Sequence, residues 1–246
     1  MTPVHREGYK FCQEFCIPCY HTDRNGLLKP AAFMDLTQEI AYWAARELGF
    51  GYEDLHVHHT AWVLSRLHIH FVRPPRWQDP VKLYTWHKGA CGLFYLRDFD
   101  LRAADGSPLV QATSSWVVID ERTRRFVRPE DLQSLTLDQP VEDALSEPAP
   151  KVLLPGMAAE EALRHTVAYS DLDVNGHTNN ARYGVWAMDC LPLEATLRPV
   201  KDLYINFSKE TRPEETVHLY RLETPDAWYV EGRVEGKPCF TVKFAY

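Results

Sequence analysis

The sequence predicts an α+β protein in which one module is used twice: a long apolar helix, then about four antiparallel strands that wrap it. Three observations predict this. A helical pattern with strand-like runs after it occupies residues 30–119 and recurs over residues 179–246. Asp23-Arg24-Asn25-Gly26 matches Asp173-Val174-Asn175-Gly176 at an offset of 150. Leu67-His68-Ile69-His70-Phe71 matches Leu203-Tyr204-Ile205-Asn206-Phe207 at an offset of 136, and Val81-Lys82-Leu83-Tyr84 matches Val217-His218-Leu219-Tyr220 at that same offset. The offsets differ because the first half has the longer helix and connector. One such unit leaves apolar surface uncovered. Two units cover it, and the seam between them is the expected place for an elongated apolar ligand.

Residues 9–20 alternate loosely between apolar and polar and read as a strand. Residues 30–48 carry Phe33, Leu36, Ile40, Trp43, Ala44 and Leu48 at helical spacing, with Gly49 as the stop. Residues 50–60 read as a connector. Runs 61–73, 80–88, 93–102 and 109–119 are rich in β-branched or aromatic residues and bounded by Gly, Pro or Asp, the pattern of strands. A proline-rich, acidic stretch without periodicity predicts a linker over 131–158, between an N-terminal unit at 1–130 and a C-terminal unit at 159–246. In the second unit a strand at 161–169 leads through a polar loop to a helix at 179–190. Strands at 197–209, 215–223, 227–235 and 238–246 follow.

Composition narrows the function. With 246 residues, 45% hydrophobic and 25% charged, the chain is an ordinary soluble globular protein. A net charge of -7 argues against a nucleic-acid partner, because phosphate binding needs a basic face. No apolar run reaches the roughly 18 residues of a membrane span, so no membrane partner is expected. The N-terminus, Met1 to Arg6, lacks the apolar core of a signal peptide. Without one, the six cysteines are expected to be reduced thiols in the cytoplasm.

The chemistry concentrates in the loop from Ser170 to Tyr183. An acid, an amide and an imidazole occupy alternate positions, Asp173, Asn175 and His177; in an extended run they share one side. Asn175-Gly176 signals a turn, and Asn179 or Asn180 can cap the helix that follows. A helix N-terminus offers N–H groups to a developing oxyanion. The same residues also make a plain Asx-rich turn and cap. The repeat separates these readings. His177 corresponds to Leu27 in the first half, and Glu210 corresponds to Pro74. The first half keeps the frame and lacks two residue types used for proton transfer.

The run Asp171 to Tyr183 resembles the signature of acyl-ACP thioesterases, and Tyr204-Ile205-Asn206-Phe207-Ser208-Lys209-Glu210 resembles their second catalytic segment. Trp62-Val63-Leu64-Ser65-Arg66, Ser114-Ser115-Trp116-Val117-Val118-Ile119 and Thr123-Arg124-Arg125 also resemble family segments. The likeness extends over nearly the whole chain. It implies a tandem (double) hot-dog fold, with an N-terminal half that shapes the acyl pocket and a C-terminal catalytic half. It implies hydrolysis of fatty acyl-ACP by Asp173, Asn175, His177 and Glu210, with Trp62, Ser65 and Trp116 in the acyl pocket, and no cofactor or metal. One departure matters: many plant members have a Cys directly after the Glu, and here Thr211 stands there. A thiol nucleophile cannot be assigned at that position.

Within that chemistry His177 serves as base or proton relay, Glu210 orients it or activates water, and Asn175 positions the carbonyl. Asp173 either polarises the network or attacks to form a mixed anhydride. On a regular strand Glu210 would face away from the Leu203, Ile205 and Phe207 side, so it needs a bulge or the strand end to reach His177. Arg122, Arg124, Arg125 and Arg128 form a basic cluster on an acidic protein. The cluster suits either a solvated turn or docking of the strongly acidic acyl carrier protein. Cys12, Cys16 and Cys19 have an iron–sulfur-like spacing, but the antiparallel pattern favours buried strand thiols. His56, His58, His59, His68 and His70 lack matched metal-ligand spacing. Alternatives are an acyl-CoA or aryl-CoA hot-dog thioesterase, a hot-dog dehydratase or hydratase, and an acyl-binding module without catalysis. A monomer and a homodimer both satisfy burial.

Overall fold

The structure, a computed structural model, describes residues 1–128 and 141–246. The start of the expected linker, up to residue 140, lies outside the described residues. The chain divides into two compact units, Met1–Ala149 and Pro150–Tyr246.

The first unit contains β1 (His5–Glu7), β2 (Lys10–Cys16), α1 (Pro30–Glu47), α2 (Tyr52–Val57), β3 (Thr60–Phe71), β4 (Pro80–Cys91), β5 (Phe94–Ala103), β6 (Pro108–Asp120) and β7 (Phe126–Val127). Its antiparallel order is β1-β2-β4-β5-β6-β3, with β7 pairing β6. α1 starts at Pro30, whose ring presets the helical φ, and stops before Gly49 at φ +77. It buries Phe33, Met34, Leu36, Ile40 and Ala44 and packs on β2 and β4. Trp43, expected on this face, is 42% exposed. The expected connector at 50–60 holds the short α2.

The second unit contains β8 (Glu160–Thr166), α3 (Asn180–Asp189), β9 (Asp202–Phe207), β10 (Thr216–Thr224), β11 (Ala227–Val234) and β12 (Lys237–Ala245), in the order β9-β12-β11-β10-β8. Replacing β2, β3, β4, β5 and β6 by β8, β9, β10, β11 and β12 converts the first order into the second. Register follows too: Phe15 pairs Val81 in the first unit, and the corresponding His165 pairs Val217 in the second. Both units are hot-dogs, each a sheet with a helix against one face. The apolar cores on those faces supply the main stabilising term.

Around α3 the core is aromatic. The Tyr183 ring centroid lies 4.9 Å from Phe240, 5.2 Å from Trp186 and 5.7 Å from Phe207. Gly232 pairs directly with Phe240 across β11 and β12. A Cβ at Gly232 would come within 2.1 Å of the Phe240 ring, so the absent side chain is what admits the aromatic.

Residues 141–149 lack helix or strand but are bonded to the first unit's sheet. The Trp86 indole donates to the Glu142 carbonyl at 2.8 Å, and the Ala144 N–H donates to Asp98 Oδ2 at 2.7 Å. Lys88 Nζ lies 3.1 Å from the fully buried Asp98. In the second unit, Asn206 donates to the Pro150 carbonyl at 3.1 Å and accepts the Val152 N–H.

Candidate active site

The loop between β8 and α3 turns at Asn175-Gly176, as that pair signals, and does not form the extended run in which Asp173, Asn175 and His177 would share one side. It is a tight turn closed by the Gly176 N–H to the Asp173 carbonyl (3.0 Å) and the Asp173 N–H to the His177 carbonyl (2.8 Å). Gly176 sits at φ +71, a conformation that favours glycine. Asp173 Oδ1 accepts the N–H groups of Asn175 (2.8 Å) and His177 (3.3 Å). Leu172 and Thr178 form a bridge across the base.

The first half builds the same turn. Gly26 bonds the Asp23 carbonyl at 3.0 Å, and the Asp23 N–H bonds Leu27 at 2.8 Å. Asp23 Oδ1 accepts Asn25 (2.7 Å) and Leu27 (3.0 Å), Gly26 has φ +72, and Thr22 bridges Leu28. An Asp at this position therefore has a turn-forming duty in both halves, including the one with neither imidazole nor Glu.

On the second-half turn, His177 Nε2 lies 3.0 Å from Glu210 Oε1. The imidazole side chain is 55% exposed and the carboxylate 28%, so the pair is open to solvent. Glu210 meets His177 because β9 ends at Phe207, which frees the next residues from strand alternation. The N–H groups of Ser208 and Lys209 both bond the Cys239 carbonyl, at 2.8 and 3.0 Å, and start the loop toward the imidazole. Asn175 sits exposed at the turn tip.

Asn179 caps α3: its Oδ1 accepts the Ala181 N–H at 2.9 Å, and its carbonyl accepts the Arg182 N–H at 2.9 Å. Two of the amides at the start of α3, the place expected to supply oxyanion donors, are thus bonded to the cap.

Sequence reasoning missed the group that anchors the loop. Asp171 is completely buried. Its Oδ2 accepts His165 Nε2 at 2.7 Å and the Ala168 N–H at 2.9 Å, while Oδ1 accepts Arg182 Nε at 3.2 Å. Burial pushes the carboxyl pKa up, but the Ala168 N–H, His165 and Arg182 together hold it below the ordinary carboxylate value. β8, the loop and α3 are thus tied to one side chain. The corresponding residue in the first half is His21, so the repeat carried a signal in that difference.

The expected pocket residues divide. Trp62 and Trp116 both pack on the cluster of Phe50, Tyr95 and Val118. Their indole N–H groups bond internally, Trp62 to the Phe50 carbonyl (2.9 Å) and Trp116 to Ser114 (2.8 Å). Ser65 sits where the register of β3 against β6 shifts, between Leu64 and Arg66. Arg122, Arg124, Arg125 and Arg128 are all exposed around the turn from β6 to β7. The three N-terminal cysteines are not all buried strand thiols, as expected. Cys12 is buried, whereas Cys16 ends β2, Cys19 lies beyond Pro18 in the following turn, and both are exposed.

Among the described residues, one group of metal-type donors gathers, His5, Glu7 and Cys12. Lys82 already sits 2.7 Å from Glu7, and burial with Glu7 nearby pushes the Cys12 thiol up to about 11. No described helix is long and apolar enough to cross a membrane.

The model of the acyl-ACP thioesterase N-terminal domain matches residues 8–134, and that of the C-terminal domain matches residues 156–233. The chain is 27% identical over 240 residues to oleoyl-acyl carrier protein thioesterase 2, chloroplastic, of Arabidopsis thaliana, covering 89% of this chain and 65% of the relative. The chain thus spans a little under two thirds of the length of such curated relatives. Among solved structures it resembles an acyl-ACP thioesterase from Bacteroides thetaiotaomicron, with a TM-score of 0.84 at 24% identity, covering 96% of this chain and 97% of that one. It also resembles the 12:0-ACP thioesterase of Umbellularia californica, with a TM-score of 0.83 at 22% identity, covering 98% of each.

Proposed function

Because the chain belongs to the acyl-ACP thioesterase family, we propose that it hydrolyses the thioester of a fatty acyl group on acyl carrier protein, releasing the free acid and the carrier thiol. The observation that carries this reading is the 3.0 Å contact of His177 with Glu210 on an accessible loop.

A thioester carbonyl needs a nucleophile, an oxyanion donor and a proton for the leaving thiolate. Glu210 orients the imidazole, and His177 takes a proton from water as the water oxygen bonds the carbonyl carbon. The tetrahedral intermediate expels the thiolate, which receives that proton from His177. The Asn175 carboxamide, at the turn tip, donates to the oxyanion. We assign Asp173 to shaping the turn and the attack on the carbonyl to water. Asp173 Oδ1 already holds two backbone N–H groups, and Asp23 does the same in the half without the pair.

Trp62, Ser65 and Trp116 belong to the acyl-binding half, and the exposed arginines at 122, 124, 125 and 128 receive the acidic carrier. All six cysteines are free thiols, which supports a reducing compartment such as the cytoplasm. The test is a free-thiol release assay on acyl-ACP and acyl-CoA, with crotonyl thioester hydration followed beside it. Release from acyl-ACP with the higher kcat/KM supports the reading. Faster release from acyl-CoA, hydration of the crotonyl group, or no turnover contradicts it.

A further inference from the structure

His177 is followed directly by Thr178, and Glu210 by Thr211, and these two followers are bonded to each other. Thr178 Oγ1 lies 2.8 Å from Thr211 Oγ1 and 3.0 Å from the Thr211 carbonyl oxygen. Tyr183, on the first turn of α3, completes the group: its hydroxyl lies 3.1 Å from Thr211 Oγ1 and accepts the Thr211 N–H at 3.1 Å. Thr211 is fully buried, and Thr178 and Tyr183 are nearly so.

The Thr211 N–H donates to the Tyr183 oxygen, and the Thr178 O–H reaches the Thr211 carbonyl. In the two hydroxyl–hydroxyl contacts either oxygen can donate, and with Tyr183 donating to Thr211 and Thr211 to Thr178 each donor is used once and the buried group is satisfied.

Its place in the chain matters as much as its geometry. Glu210 lies between β9 and β10, where no strand ladder fixes it. Behind it, Ser208 and Lys209 are held by the Cys239 carbonyl; ahead of it, the hydroxyl ring holds Thr211. The ring thus grips the residue next to each member of the imidazole–carboxylate pair.

The repeat supplies an independent observation. At the corresponding positions of the first half stand Leu28, Phe33 and Pro75, none with a hydroxyl. That half folds the same turn and meets the same segment through backbone pairing: the Leu28 N–H bonds the Pro75 carbonyl at 2.9 Å, the Trp77 N–H bonds the Gly26 carbonyl at 3.0 Å, and Leu27 bridges Arg76. The first half closes this junction with backbone pairing and no hydroxyl. The hydroxyls occur in the half that has the pair.

We propose that Thr178, Thr211 and Tyr183 are positioning residues, a buried hydroxyl lock that holds Glu210 against His177. The inference rests on the reading of that pair as the proton-transfer machinery. Thr211 then acts through its hydroxyl and not as a nucleophile.

The test uses Tyr183→Phe, which copies the first half's own Phe33, and Thr211→Val and Thr211→Ser, compared with wild type, His177→Ala and Glu210→Gln on acyl-ACP. Folding is checked by thermal unfolding. Tyr183→Phe and Thr211→Val are expected to stay folded and to lose roughly ten- to a hundredfold in kcat, with KM nearly unchanged. Their kcat/KM–pH profiles should move toward that of Glu210→Gln, and Thr211→Ser should recover most of the loss. If His177→Ala and Glu210→Gln are inactive while Tyr183→Phe and Thr211→Val keep wild-type kcat and pH profile, the lock is refuted and the pair stands. If His177→Ala keeps full activity, the reading of the pair falls and the lock's role falls with it. Should Thr211→Val fail to fold, Tyr183→Phe alone decides the matter by the same criteria.

Discussion

His177 and Glu210, whose Nε2 and Oε1 atoms lie 3.0 Å apart, come from two segments that no regular element aligns. One closes the turn held by Asp173, and the other is the third residue beyond the end of β9. Their meeting depends on Asp171 beneath the turn and on the hydroxyl groups behind both side chains. In the first half the same frame ends in Leu27 and Pro74, which can neither take nor give a proton. The chemistry is local, while its geometry is inherited from the duplicated scaffold.

Asp171 should be the most sensitive stability position in the loop. Replacing it with Asn removes the charge that satisfies His165 and Arg182, and the expected loss is about 2 kcal/mol at neutral pH. The figure stays modest because Arg182 keeps a third of its side chain in water. The pH dependence follows from the direction of the shift. The Asp171 pKa is depressed on folding from an unfolded value of about 3.9, so its contribution is complete above that value and fades as pH falls through the lower folded one. Urea unfolding of wild type and Asp171→Asn should show a gap at neutral pH that closes in strong acid. Equal midpoints at neutral pH would contradict the anchoring role.

Oxygen-18 water distinguishes direct hydrolysis from a mixed anhydride on Asp173. With Asp173 Oδ1 bonded to two N–H groups, one oxygen of the released fatty acid should come from the solvent in the first turnover. The protein should stay unlabelled. Mass spectrometry that finds label in the peptide bearing Asp173 after a single turnover would overturn the water mechanism.

The basic turn gives a prediction about the carrier. Reversing the charge of Arg122, Arg124, Arg125 and Arg128 together should raise KM for acyl-ACP severalfold more than for a short acyl-CoA, with kcat little changed. The difference should shrink at high salt, since exposed charges are screened. Equal KM changes for both substrates would remove the docking assignment.

Much of the frame was legible in the sequence because it depends on periodicity. Leu67 to Phe71 and Leu203 to Phe207 occupy matching strands, and helices start at Pro30 and Asn180, one repeat apart. The pairing of His177 with Glu210 was legible through their absence from the first half. The turn at Asn175-Gly176 was legible as well, but not that the Asp173 carboxylate holds it through two backbone N–H groups, so that Asp173, Asn175 and His177 do not lie along one extended run. Nor could spacing show that Thr178 and Thr211 touch, because a contact between distant segments leaves no periodic trace. The short β1, β7 and α2 were missed for a related reason: they hold too few residues to establish a period.

The central claim is tested most directly by the kcat of His177→Ala and of Glu210→Gln for acyl-ACP in a free-thiol assay, on protein whose thermal unfolding matches wild type. Each substitution should lower kcat by at least about a hundredfold, because one removes the group that carries the proton and the other the group that orients it. Wild-type turnover in either folded variant would contradict the account.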